Sequence, residues 1–105
     1  MIKALFKTRN GVFGGFEISG HSGYAESGSD IVCASFSAMA NLAVRFLEES
    51  GTEYIQSVDE SKPALSVSVP EATCVSDIII RSFYCEALEV SKEYPEYARV
   101  KTKAE

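Results

Sequence analysis

The chain carries one histidine, His21, and three cysteines, Cys33, Cys74 and Cys85. His21 opens a stretch rich in Gly and Ser, and Cys33 stands just past its far end, where an apolar pattern with helical spacing begins. Three effects can meet at a cysteine so placed. A helix N-terminus stabilises negative charge and favours thiolate over thiol. A nearby imidazole can take the thiol proton or pair with the thiolate. Backbone N–H groups of the first turn can hold an oxyanion during acyl transfer. The intervening segment must fold back for His21 to reach Cys33, and its glycines permit that. The plainer reading keeps Cys33 as packing and His21 as a structural or surface residue, and spacing alone leaves both readings open.

Two neighbours have similarly double readings. Asp30 either caps the helix through its carboxylate or orients His21 as a third catalytic member. Ser37 lies one helical turn past Cys33, where it can bond to the site or simply fill space. Cys74 and Cys85 are separated by about three helical turns, so they share a face and are expected to be core packing; they lie too far apart along the axis for a disulfide. No CxxC or HxxxH pair is present, so neither a metal nor another cofactor is expected. Gly20-His21-Ser22-Gly23 lacks the lysine and hydroxyl of a phosphate loop. The carboxylates Glu86, Glu89, Glu93 and Glu96 read as a solvated face.

The elements that must position these residues follow from patterning. Ile2 to Thr8 alternates, Asn10-Gly11 supplies a tight hairpin turn, and Val12 to Ser19 returns with a bulge expected at Gly14-Gly15. Gly20 to Asp30 is unpatterned, and a flexible active-site loop is expected at about 20–32. Ile31 to Ser50 is a helix with Val32, Phe36, Met39, Ala43, Phe46 and Leu47 on its apolar stripe and Gly51 as its stop. Strands are expected at about Glu53 to Val58 and Ala64 to Val69, joined by a turn over Asp59 to Pro63. A second helix starts between Glu71 and Ser76 and ends near Tyr94, ahead of Pro95; its apolar positions include Val75, Ile78, Ile79, Phe83, Leu88 and Val90. Ala98 to Thr102 is a short last strand. The fold class is therefore α+β, a mixed or antiparallel sheet with two helices in the order β-β-α-β-β-α-(β), as one domain over 1–105.

Composition narrows the function classes. The 105 residues are 46% hydrophobic and carry a formal charge of −5, from 15 acidic and 10 basic side chains. One compact domain is expected and disorder is not. No run of about 18 apolar residues is seen, so no membrane partner is expected. Met1 to Lys7 does not read as a secretory leader. The Lys and Arg residues look scattered or paired with Glu, which argues against a direct nucleic-acid partner. Three thiols without a pairing pattern suggest a reducing compartment.

The motif Gly20-His21-Ser22-Gly23-Tyr24-Ala25, followed by Gly28-Ser29-Asp30-Ile31-Val32-Cys33-Ala34 and Ser37-Ala38, resembles the ribosomal-processing cysteine protease family, Prp. Glu93-Tyr94-Pro95-Glu96-Tyr97-Ala98-Arg99-Val100 is similar to that family's C-terminal signature. Two departures stand out. Ser22 replaces a frequent alanine, and Ser35-Phe36 replaces smaller or aliphatic residues. The resemblance implies Cys33 as nucleophile and His21 as general base and acid, with Asp30 and Ser37 in support and Gly20 as a loop hinge. It further implies a cytoplasmic, homodimeric endopeptidase that removes the N-terminal extension of large-subunit ribosomal protein twenty-seven. The cut implied lies after aromatic residues and before a small one. The competing expectation is a non-catalytic dimeric module that binds a ribosomal or assembly partner and leaves Cys33 inert.

Overall fold

The computed structural model describes residues 1–21, 23–25, 30–59, 61 and 64–105. Parts of the loop expected at about 20–32 and of the turn over Asp59 to Pro63 lie outside the described residues. The elements are β1 (Ile2–Arg9), β2 (Val12–Ser19), α1 (Ile31–Glu49), β3 (Ile55–Asp59), β4 (Ala64–Ser68), α2 (Cys74–Glu93) and β5 (Ala98–Ala104). They form one five-stranded sheet in the order β3-β4-β2-β1-β5. The β1–β5 pair is parallel and the others are antiparallel, so the sheet is mixed.

The hairpin between β1 and β2 forms because Asn10 and Gly11 both take positive φ, 54° and 79°, as a primed turn requires. The expected bulge falls at Gly14: Lys7 pairs with Gly15 and Thr8 with Phe13, leaving one extra residue on β2. Alternation then sends Ile2, Ala4 and Phe6 of β1 to one face, beside Phe16 and Ile18 of β2 and Val67 and Leu65 of β4. Both helices cover that face. Phe83 of α2 meets Phe6 and Phe16 edge-on, with ring centroids 5.0 Å apart in each case. Val32, Phe36, Ala40, Ala43 and Leu47 of α1 complete the core.

The helix ends are well specified. At the end of α1, Thr52 N–H donates to Leu47 O at 2.9 Å and Gly51 N–H to Glu48 O at 3.1 Å, closing the left-handed cap expected at Gly51. Thr73 and Ser76 form a reciprocal capping box at the start of α2. By length and mean hydropathy (1.4) α1 would suffice to cross a bilayer, although its sequence is no unbroken apolar run; here one side of it forms part of the core.

Three expectations about helix faces need correction. Phe46 is 53% exposed, and Val75 and Ile78 of α2 are 47% and 55% exposed. Instead α2 buries Ser76, Ile80, Phe83 and Ala87. Cys74 and Cys85 do share a face, but it is the opposite one, and both are exposed rather than core. Ile78-Ile79-Ile80 is apolar around most of a turn, so the small residues Ser76 and Ala87, which let the helix approach the sheet closely, set its rotation.

Asp77 ties α2 to the hairpin. Its carboxylate accepts the Phe13 N–H at 2.9 Å and pairs with Arg81 at 3.1 Å. The Phe13 amide, followed by the Arg81 guanidinium, outweighs desolvation and holds this carboxyl below its ordinary value of 3.8. A depressed folded-state value stabilises the fold above the unfolded-state value and is lost as pH falls through the folded one. Asp77→Asn is therefore expected to destabilise the protein at neutral pH and to lose most of that disadvantage only once pH has fallen through the depressed folded-state value, read from urea midpoints across pH.

Candidate active site

The strand ends place the site. β2 delivers Gly20 and His21 from the edge of the inner sheet face, and α1 begins beside them. A cavity of about 790 Å³ opens here, and its walls include Gly20, His21, Asp30, Cys33 and Ser37. All five site residues expected from sequence thus meet in one place. His21 and Ser37 are exposed, while Asp30 and Cys33 are half-buried. The floor is apolar, with Ile2, Ile18, Phe36 and Leu65. Among the described residues no three His, Cys, Asp or Glu side chains converge to hold a metal ion.

Cys33 is the third residue of α1 after its N-cap, Asp30. The Asp30 carboxylate accepts the N–H groups of Val32 at 3.1 Å and of Cys33 at 3.0 Å. The capping reading of Asp30 is therefore realised in the geometry. It also corrects one expectation: the Val32 and Cys33 amides are engaged by Asp30 rather than open to an oxyanion.

Gly20 is fixed by two constraints. Its φ of +87° is left-handed, and a side chain there would run into the carbonyl of Met1. The first residue of the chain and the turn that aims His21 are thus in backbone contact. Gly20→Ala is expected to cost about 1–3 kcal/mol from the backbone conformation alone, with the steric clash in addition. A fall in melting temperature together with peptide turnover checks it; a variant as stable and active as the parent would refute it.

Sequence reasoning missed two contributors. Asn41 lies on the cavity wall, two helical turns beyond Cys33, so the cavity runs as a groove along the face Cys33, Ser37, Asn41 toward Val58 of β3. Helical spacing from Cys33 carried the signal for Asn41. Tyr24 meets the rings of Tyr94 and Tyr97 edge-on, at 5.5 Å and 5.2 Å, and so ties the segment after His21 to the connection between α2 and β5. These aromatic residues lie some seventy positions apart in the chain, and nothing local announces the contact.

Comparison with known proteins adds to this geometry. Residues 1–99 match the family model described as cysteine protease Prp. The fold is similar to the crystal structure of SMU.848 from Streptococcus mutans, with a TM-score of 0.86 and 25% identity, covering 100% of this chain and 96% of that one. It is also similar to an essential ribosomal processing protease Prp from S. aureus in complex with a covalently linked product peptide. There the TM-score is 0.86 and the identity 20%, covering 98% of this chain and all of that one. The same S. aureus protease in complex with a substrate peptide gives 0.81 and 19%, with 98% and 100% covered. No curated protein matches the chain.

Proposed function

The chain belongs to the cysteine protease Prp family, and from that premise we propose that it removes the N-terminal extension of large-subunit ribosomal protein twenty-seven. The observation that carries this reading is the convergence of Cys33 and His21 on one groove at the start of α1. The S. aureus relative is a ribosomal processing protease that holds a peptide covalently, which supports a ribosomal substrate here.

The substrate segment lies extended in the groove, its apolar residues against Ile18, Phe36 and Leu65. His21 takes the thiol proton of Cys33, and the sulfur attacks the scissile carbonyl carbon. The tetrahedral adduct collapses, the C–N bond breaks, and His21 returns the proton to the leaving amine. Water, deprotonated by His21, then cleaves the thioester, freeing the acid and restoring the thiol. For the Val32 and Cys33 amides to serve the oxyanion, Asp30 must first release them, so its main role in this scheme is to cap the helix. Asp30→Ala is expected to cost about 1 kcal/mol while keeping turnover at matched folded fraction; a fall in kcat instead assigns Asp30 to His21.

Exposed Glu86, Glu89, Glu93 and Glu96 on and after α2 favour encounter with a basic ribosomal protein, an effect that salt must weaken. A homodimer is supported by apolar side chains left uncovered on the helical side, Leu42, Phe46 and Ile78. Cys74 and Cys85 are exposed thiols outside any disulfide, which suits a cytoplasmic setting. The test is mass spectrometry of the ribosomal protein precursor after incubation with the parent enzyme and with Cys33→Ala. Loss of a single N-terminal segment with the parent alone supports the reading. An intact precursor sinks this substrate and favours the non-catalytic binding module.

A further inference from the structure

The strand register gathers cations that look scattered in the sequence. On the sheet face away from the helices, Lys3 of β1 stands beside Arg99 of β5, and Lys7 beside Lys103, with Lys101 between them opposite Leu5. Half of the ten basic residues of an acidic chain therefore share one side of two strands. Lys7 is paired with Glu17 at 3.1 Å. Lys3, Arg99, Lys101 and Lys103 are exposed and make no ion pair among the described residues.

Lysines on β5 alone would be ordinary protection of a sheet edge. Protection does not explain Lys3 and Lys7 on the interior strand β1, nor like charges set directly side by side at strand spacing, which is destabilising. Such a face gains most when an anion covers it. Beyond β1 the face carries Ser19 opposite Lys3 and Glu17 opposite Leu5, and then Ser66 and Ser57 in register with Glu17. Tyr, Trp and Phe are missing from it, whereas protein partners are usually anchored by aromatic side chains. Lys, Arg and Ser are the side chains that contact phosphates. Arg99, Lys101 and Lys103 recur every second residue, about 6.6 Å, close to the step between successive phosphates of an extended nucleic-acid strand. The exposed Glu86, Glu89 and Glu93 of α2 stand on the helical side of the sheet, not on this face.

We propose that the outer face of β1 and β5 binds the phosphate backbone of single-stranded RNA without reading its sequence. The face of a five-stranded sheet offers no helix or two-stranded ribbon to enter a DNA groove, and the choice of RNA over DNA rests on the ribosomal reading above. This proposal runs against the expectation of no direct nucleic-acid partner, which rests on scattered cations, because the register brings five of them together. The groove at Cys33 opens on the other side of the sheet, so RNA on this face leaves it accessible.

The experiment is fluorescence anisotropy of the full chain with a labelled 20-nucleotide uridine RNA, the matching thymidine DNA and polyglutamate, from about 30 to 200 mM salt. With four cations engaged, log affinity for RNA is expected to fall with log salt at a slope of about −3. Lys101→Glu with Lys103→Glu should weaken binding at least tenfold, and Lys101→Gln with Lys103→Gln should roughly halve the slope; both variants should cleave peptide like the parent. Equal binding to the DNA strand supports phosphate recognition. Absence of RNA binding at the lowest salt, undiminished binding by both variants, tighter binding of DNA than RNA, or a preference for polyglutamate overturns the proposal. Because peptide cleavage is read separately, each of these failures leaves the peptidase reading standing.

Discussion

Cys33→Ala is expected to leave cleavage of an extended substrate peptide at background while the protein stays folded. Removing the nucleophile of a triad-type hydrolase costs on the order of 10⁶ in kcat, which in practice means no measurable turnover. The substitution is mild structurally, because Cys33 is half-buried on a cavity wall and alanine is a good helix former. Loss of activity at an unchanged melting temperature therefore reports chemistry and not folding. Retained activity would assign the nucleophile elsewhere and return Cys33 to the role of packing residue.

His21→Ala is expected to lower kcat by about 10²–10⁴, the range for a positioned general base and acid. His21 is exposed and sits just beyond Gly20 at the end of β2, so its loss removes no core contact. Stability should stay within about 0.5 kcal/mol of the parent, as for surface substitutions generally. Single-turnover release of the amine should slow together with steady-state turnover, as expected if His21 serves both acylation and deacylation. If kcat is unchanged, some other group moves the proton, and the shared cavity is coincidence.

Much of the fold was legible because its signals are local. Asn10-Gly11, Gly51 and Pro95 punctuate the chain, and alternation marks β1 and β2. From sequence β5 ends at Thr102, whereas the strand runs to Ala104, since Lys103 and Ala104 carry no strand pattern of their own and are ordered by pairing with Lys7 and Thr8. The rotation of α2 is hidden for the same reason: Ile78 and Ile80 are equally apolar, and the face is selected by the packing of Phe83 on Phe6 and Phe16 together with the burial of the small Ser76 and Ala87. At the site, His21, Cys33 and Asp30 were visible as residue types at a helix start. Capping is one of the two sequence readings of Asp30, and its bonds to the Val32 and Cys33 amides bear it out; sequence leaves the choice open, because capping and orienting His21 ask for the same residue at the same place. The cationic face is not legible in the sequence, because it rests on the parallel pairing of β1 with β5, a long-range fact.

The central claim is that Cys33 is activated by the groove it shares with His21, and competitive alkylation tests it most directly. Cys74 is a sharp internal control: it too lies in the first turn of a helix, and it is exposed where Cys33 is half-buried. With iodoacetamide below one equivalent at neutral pH, peptide mapping is expected to find Cys33 labelled first, and His21→Ala is expected to abolish that advantage. Labelling in order of exposure, with Cys74 and Cys85 ahead of Cys33 and no response to His21→Ala, would contradict the account.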